Sequence, residues 1–203
     1  MALESVHLIH PGCKVSSKKN SNAVPYGPSL LGRIIDGMGR PIDGRGPLLA
    51  PQREGFYCEP PNPLSRSLIT APFSSGIKAI DSFIPLGVGQ RVGIFSGSGV
   101  GKSILLGMIG RGSEAQVNVI SLVGERGREL REFVENDLGP EGMAKSVIVV
   151  STSDQPAPMR IRASILATAI AEGFRNEGNK VLLLMDSLTR FAMAQREIGL
   201  AAG

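Results

Sequence analysis

Residues 96–103 read Ser96-Gly97-Ser98-Gly99-Val100-Gly101-Lys102-Ser103. They stand between a short apolar run, Arg91 to Phe95, and an apolar stretch of helical character, Ile104 to Ile109. A strand, a glycine-rich turn and a helix in that order make the context of a phosphate-binding loop. Gly97, Gly99 and Gly101 let the backbone wrap closely around an anion and turn its N–H groups inward. The helix adds its positive N-terminal end. Lys102 supplies a point charge for the β- and γ-phosphates, and Ser103 a hydroxyl ligand for Mg²⁺. Ser96 stands where the motif is usually written with Gly, and a small residue still fits there. A glycine-rich turn that happens to precede Lys-Ser is the competing reading, which the flanking elements disfavour.

The rest of the C-terminal portion agrees with that loop. Val117 to Val123, Ser146 to Val150 and Lys180 to Met185 are nearly continuous Val/Ile/Leu runs, as buried parallel strands require. Between them lie helical patterns. Leu130, Phe133, Val134 and Leu138 form one stripe, closed by Gly139-Pro140. Ile161, Ile165, Ala169 and Ile170 form another. Alternating β and α of this kind predicts an α/β fold, a parallel sheet with helices on both faces. Residues 1–75 have a different texture, rich in Pro and Gly, with a strand at Leu30 to Ile35 and a turn at Asp36 to Pro41. Glu59 to Pro63 reads as an extended linker. Ser16 to Asn22, including Lys18 and Lys19, reads as a solvated loop.

Two carboxylates belong with the loop. Asp186 ends the apolar run Lys180 to Met185, the pattern of a Mg²⁺-holding strand. Both it and the loop fall at C-terminal strand ends, where open α/β sheets bind ligands. Glu125 follows the strand Val117 to Val123 and reaches the same sheet edge. There a carboxylate could orient and deprotonate a water for in-line attack. Position alone leaves open whether Glu125 does so or simply begins a surface helix, like Glu129 and Glu132.

Composition removes other classes. The 22 Lys+Arg against 18 Asp+Glu give a net charge of +4. The excess sits in residues 1–75, with eight basic against five acidic residues; the remainder holds 14 against 13. No dense basic block with interleaved aromatics exists, and with two Tyr and no Trp, base-stacking platforms are scarce, so nucleic acid is not expected as a partner. No apolar run approaches the roughly 20 residues of a membrane span, and Met1-Ala2-Leu3-Glu4, with neither a basic start nor an apolar region, leads to no expectation of a secretion signal. Cys13 and Cys58 are too few and too distant for a metal knuckle or a disulfide framework, and read as two thiols in a reducing cytoplasm. His7 and His10 lack a ligand cluster for zinc.

Several stretches together resemble the rotary-type ATPases, the group of F-type and V-type catalytic subunits and the termination factor Rho. They are Leu31-Gly32-Arg33-Ile34-Ile35-Asp36-Gly37 continuing to Asp43, Gly76-Ile77-Lys78-Ala79-Ile80-Asp81, the phosphate loop, and Gly124-Glu125-Arg126-Gly127-Arg128-Glu129. Within that group the chain is most similar to the export ATPases of the flagellum and the injectisome. Gly93 to Ser103, Thr152-Ser153-Asp154-Gln155-Pro156 and Met185 to Ala201 carry this likeness, with Thr152 to Pro156 pointing to the flagellar side. The resemblance runs from about residue 10 to the end.

The resemblance implies a RecA-like P-loop core at residues 76–203. A partial N-terminal β-barrel precedes it at 1–50, with a linker and entry at 51–75. It implies that Glu125 is the catalytic carboxylate and that Arg126 contacts the γ-phosphate region. Lys102, Ser103 and Asp186 keep the roles argued above, with ATP and Mg²⁺ as cofactors. It implies a homohexamer with ATP at subunit interfaces, cytoplasmic and peripheral at the inner face of the cell membrane. Its partners would be export-gate, stalk and regulatory proteins and chaperone–substrate complexes, and its task ATP hydrolysis powering protein export. Against the family the chain reads as a fragment. Much of the barrel, the remaining core strands, the arginine finger, the adenine pocket and the C-terminal helical domain are expected to be missing. A group supplied in trans is worth about 10³–10⁵ in rate, so weak nucleotide binding and little turnover are expected of residues 1–203 alone. The rival readings are a non-catalytic truncated fragment, an F/V-type ATP synthase subunit and a Rho-like motor.

Overall fold

A computed structural model describes every residue except 1, 4–6, 8, 17–22, 54, 57–58 and 98. In chain order its elements are β1 (Val24–Pro25), β2 (Arg33–Asp36), β3 (Gln52–Arg53), β4 (Pro72–Phe73), α1 (Lys78–Phe83), β5 (Leu86–Gly87), α2 (Lys102–Gly112) and β6 (Val117–Val123). Then follow α3 (Gly127–Glu132), a π-helical segment (Phe133–Leu138), α4 (Gly139–Ala144), β7 (Ser146–Ser151), α5 (Ala157–Asn176), β8 (Val181–Asp186) and α6 (Leu188–Ala202). Loop residues 17–22, with Lys18 and Lys19, and Cys58 lie outside the described residues.

Four strands form one parallel sheet in the order β2-β7-β6-β8. Its strands are apolar on both faces because both faces are covered. Along β6, Val117, Val119 and Val123 join the cluster under α5, with Val147, Val149, Ala163, Leu166, Ile170 and Phe174. Ile120 and Leu122 point the other way. They meet Leu106 of α2 and Phe133 and Leu138 of the π-helical segment. Each such aliphatic side chain contributes roughly 1.5–3 kcal/mol on burial. Two two-stranded antiparallel ribbons, β1-β3 and β4-β5, lie outside this sheet.

The α2 face is also fixed by polar and steric contacts. Asn118 Nδ2, on buried β6, donates to the Gly110 carbonyl at 2.8 Å and to Ser146 Oγ at 3.1 Å, tying the sheet to α2. A Cβ added at Gly107 would lie 2.5 Å from the Asp137 carbonyl oxygen, so α2 and the π-helical segment touch backbone to backbone. Gly139 closes that segment with φ +65°, and Pro140 opens α4, so the chain turns there but resumes helix at once.

Three expectations change. Arg91 to Phe95 form no strand: residues 91–97 are irregular and exposed, Phe95 at 97%. A strand needs a neighbour, and β8 pairs on one side only, with β6. Second, Ala157, Ala163 and Ala167 of α5 are fully buried and Leu166, Ile170 and Ala169 nearly so, while Ile161 and Ile165 are half-buried, so the expected stripe holds at Ala169 and Ile170 and not at the two earlier Ile residues. Small side chains let α5 lie close on the sheet. Third, the strand expected at Leu30 to Ile35 begins at Arg33 and pairs in parallel with β7. A segment inside the expected barrel remnant is thus an edge of the core sheet. Its turn is pinned by Asp43, which accepts from Arg33 Nε at 2.6 Å, Arg33 Nη2 at 3.0 Å and the Ile34 and Arg45 N–H groups. No helix among the described residues is long and apolar enough to cross a membrane.

Candidate active site

The C-terminal ends of β6 and β8 lie side by side, Leu122 opposite Asp186 in the register. The start of α2 faces them. Lys102, the first residue of α2, donates from Nζ to Asp186 Oδ1. Asp186 is only 5% exposed, so a carboxylate there needs a counter-charge. The loop and the strand end, 84 residues apart in sequence, therefore meet as expected. Gly101 caps α2 with φ +93°, and Gly99 has φ +78°; both conformations suit glycine and turn the loop into the helix. Ser96, Gly97, Gly99 and Val100 are exposed in front of α2, and Ser103 is exposed on its first turn. Ser98 lies outside the described residues.

Glu125 arrives from β6 and is held by the end of β7. The Gly124 N–H donates to the Ser151 carbonyl at 2.7 Å, and the Ser153 N–H to the Glu125 carbonyl at 3.1 Å. Its half-buried carboxyl is pushed up to about 7. Burial is the main cause, followed by a hydrogen bond shared with Glu129 and the negative charges of Asp186 and Glu129; Lys102 opposes them. Glu125 therefore feels both members of the Lys102–Asp186 pair.

Arg126 is the exposed N-cap residue of α3. Its backbone N–H, at the start of α3, favours the charged form of Glu129. Its guanidinium acts on Glu129, and no described contact brings it to Lys102. Glu129 is held below the ordinary carboxylate range, first by the Glu125 hydrogen bond, then by the Arg126 N–H and the Arg126 and Arg190 charges. Arg190 stands on the first turn of α6, where its N–H donates to Ser187 Oγ at 3.3 Å. Its stem crosses Gly124, whose φ of +75° and missing Cβ allow it: a Cβ there would lie 2.9 Å from Arg190 Cβ.

Sequence reasoning passed over Glu129 and Arg190. Glu129 was grouped with the surface acids, although its spacing of four from Glu125 puts the two within reach. Arg190, four residues after Asp186, carries no signal of its own.

The arrangement offers a glycine-rich anion cradle, an ammonium paired with a buried carboxylate, and a carboxyl group that changes charge near neutral pH. The hard oxygen donors, the Asp186 carboxylate and Ser103 hydroxyl, suit Mg²⁺, which takes one or two protein oxygens and completes its shell with phosphates and water. Among the described residues no group of three His, Cys, Asp or Glu could hold a metal alone.

The family model described as ATP synthase alpha/beta family, nucleotide-binding domain, matches residues 76–203. The flagellum-specific ATP synthase of Treponema pallidum is 52% identical over the whole chain, which covers 45% of that relative. The type 3 secretion system ATPase of Xanthomonas euvesicatoria is 54% identical over 89% of the chain and 41% of its own length. The chain thus spans less than half the length of these curated relatives. Among solved structures, the assembled ATPase EscN with its central stalk EscO, from the type III secretion system of enteropathogenic E. coli, superposes with a TM-score of 0.91 at 48% identity. That match covers 99% of this chain and 50% of that one. The phosphate loop, the Asp186 strand end and the match over 76–203 agree, and the chain belongs to the ATP synthase alpha/beta family.

Proposed function

We propose that this chain is the nucleotide-hydrolysing core of an ATPase that drives type III protein export. The convergence of Lys102, Asp186 and Glu125 at one sheet edge, in front of the glycine-rich loop, carries the reading. Relatives named for flagellar and for secretion-system ATPases match at 52–54%. They support the chemistry in common without choosing between the two machines, and they do not favour a Rho-like motor, a synthase subunit or a non-catalytic fragment.

In this reading the N–H groups of Gly97 and residues 99–103 and the positive end of α2 hold the β- and γ-phosphates. Lys102 leaves Asp186 to contact the γ-phosphate. Ser103 and Asp186 would hold Mg²⁺, which would supply charge neutralisation at the phosphates. Glu125 orients the attacking water and takes its proton. The new bond runs from water oxygen to the γ-phosphorus, the β–γ bridging bond breaks, and ADP and phosphate leave. A carboxyl near 7 suits this task, because an acceptor works best with a pKa close to the working pH. Arg126 serves the γ-phosphate side. The protein assembles as a homohexamer with sites at subunit interfaces, as the assembled relative with its stalk suggests. It works in the cytoplasm at the inner face of the membrane, with export-gate, stalk and regulatory proteins and chaperone–substrate complexes as partners.

The test uses the full-length protein. Lys102→Ala should weaken MgATP binding by at least about tenfold in calorimetry. Glu125→Gln should bind MgATP normally and lose about 10²-fold or more in turnover, within the range typical of a lost general base. Undiminished binding by Lys102→Ala overturns the reading.

A further inference from the structure

We propose that Arg160 is a positioning residue: its guanidinium ties the loop that holds the Glu125 backbone to α6, the helix leading away from Asp186, and so fixes the two acidic positions relative to each other. The inference deepens the reading of Glu125 as the proton acceptor and rests on it.

An unbroken series of contacts carries it. The Glu125 carbonyl accepts from the Ser153 N–H at 3.1 Å. Ser153 sits in a turn closed by the Gln155 N–H, which donates to the Thr152 carbonyl at 3.1 Å. The Gln155 carbonyl accepts from Arg160 Nε at 3.2 Å. Arg160 Nη2 donates in turn to Glu197 Oε2 on α6 at 2.6 Å. That helix starts beside Asp186: Ser187, the next residue, caps it by accepting from the Arg190 N–H. Arg160 itself stands on a rigid base, the first turn of α5. Gly37 packs there so closely that a Cβ on it would lie 3.0 Å from the Met159 carbonyl oxygen. The segment Thr152 to Pro156 thereby gains a task, to carry the hold of α5 and α6 to Glu125.

The Arg160 side chain is 15% exposed and that of Glu197 50%. An ion pair so open to water adds little stability, so its consequence is geometric. A guanidinium is planar, with its donors in a fixed fork. With Nε committed to the loop and Nη2 to α6, the spacing of the two elements is set. A lysine ammonium, a point charge on a flexible stem, sets no such spacing. A spacing held this way matters more to turnover than to binding, because reacting atoms must meet within a narrow geometry. The glycine-rich loop and α2, which grip the phosphates in the proposed reading, stand outside this series of contacts.

The experiment compares full-length wild type, Glu125→Gln, Arg160→Ala, Arg160→Lys, Glu197→Ala and the double variant Arg160→Ala/Glu197→Ala in steady-state ATP hydrolysis, with thermal melting alongside. Arg160→Ala should lower kcat by about tenfold and leave KM for MgATP within about twofold. Arg160→Lys, which keeps the charge and loses the fork, should stay at least about threefold below wild type in kcat. Glu197→Ala should lose about threefold in kcat with KM unchanged, and the double variant should be no slower than Arg160→Ala, because both residues act along one path. Should Arg160→Ala fail to fold, Glu197→Ala and Arg160→Lys carry the test. A purely structural part for Arg160 predicts a lower melting temperature, with KM and kcat moving together. That result overturns the proposal, as do full kcat in Arg160→Lys, additive losses in the double variant, and wild-type kcat in Arg160→Ala or Glu197→Ala while Glu125→Gln is inactive. Full activity in Glu125→Gln would instead overturn the reading of Glu125 itself.

Discussion

Replacing Gly107 with Ala sets two physical effects against each other. In a solvated helix the change stabilises by about 1 kcal/mol, since Gly is the poorer helix former. At Gly107 the new methyl would lie 2.5 Å from the Asp137 carbonyl oxygen and 2.6 Å from its carbonyl carbon and Cβ. That is about 0.9 Å short of ordinary contact, which begins at 3.4 Å. The obstacle is backbone and cannot rotate away. α2 and the π-helical segment must separate, loosening the layer of Leu106, Phe133 and Leu138. Overpacking of this kind costs about 1–3 kcal/mol or more. It should exceed the helix gain and leave a net loss of roughly 1–2 kcal/mol, or a melting temperature lower by about 2–8 °C at this chain length. Gly199 on α6 is the control, with nothing within 4 Å of an added Cβ. Gly199→Ala should raise the melting temperature by about 1–4 °C. Urea denaturation at two wavelengths checks both variants. Should Gly107→Ala stabilise as Gly199→Ala does, the backbone contact between α2 and the π-helical segment is wrong, and with it the placement of the helix that Lys102 opens.

Two further outcomes concern pH. Asp43 is held well below the ordinary carboxylate range, chiefly by its Arg33 hydrogen bonds, and its side chain is 5% exposed. Such a group adds stability above its unfolded pKa and loses it as pH falls through the folded one. Asp43→Ala should therefore cost about 2–4 kcal/mol at pH 7 in urea denaturation, with a smaller gap at pH 3; an equal gap at both would refute the assignment. Glu125 has the opposite sign. Its folded pKa is raised to about 7, so its contribution is complete below the unfolded value and lost as pH rises through 7. After solvent screening, Glu125→Gln should be more stable than wild type by about 1 kcal/mol at pH 8.5. The two should be nearly equal at pH 4.5, and a variant less stable than wild type at the higher pH would contradict the assignment.

How much of this was legible in the sequence depended on how local the signal was. Val117–Val123, Ser146–Val150 and the run ending at Asp186 declared themselves because each is apolar throughout, and a strand buried on both faces has to be. Arg91–Phe95 carries the same texture, yet composition cannot say whether a neighbouring strand lies alongside. The stripe on α5 was right at Ala169 and Ile170 but passed over Ala163 and Ala167, because the alanines that let a helix lie close on a sheet give little apolar signal of their own. At the site, Lys102, Asp186 and Glu125 were readable from motif and strand position. Glu129 and Arg190 come near one another only in three dimensions, from α3 and α6, where no local signal marks them.

The Lys102 ammonium neutralises the sequestered Asp186, so the charges of that pair are balanced against each other. An incoming polyphosphate has to draw the ammonium away, which strands a bare negative group where water scarcely reaches. On the proposed reading, nucleotide alone would thus be penalised, and so would a lone cation, which would have to dislodge the same ammonium with no phosphate to receive it. Arriving together, each resolves the other's imbalance, so their uptake is mutually reinforcing by linkage.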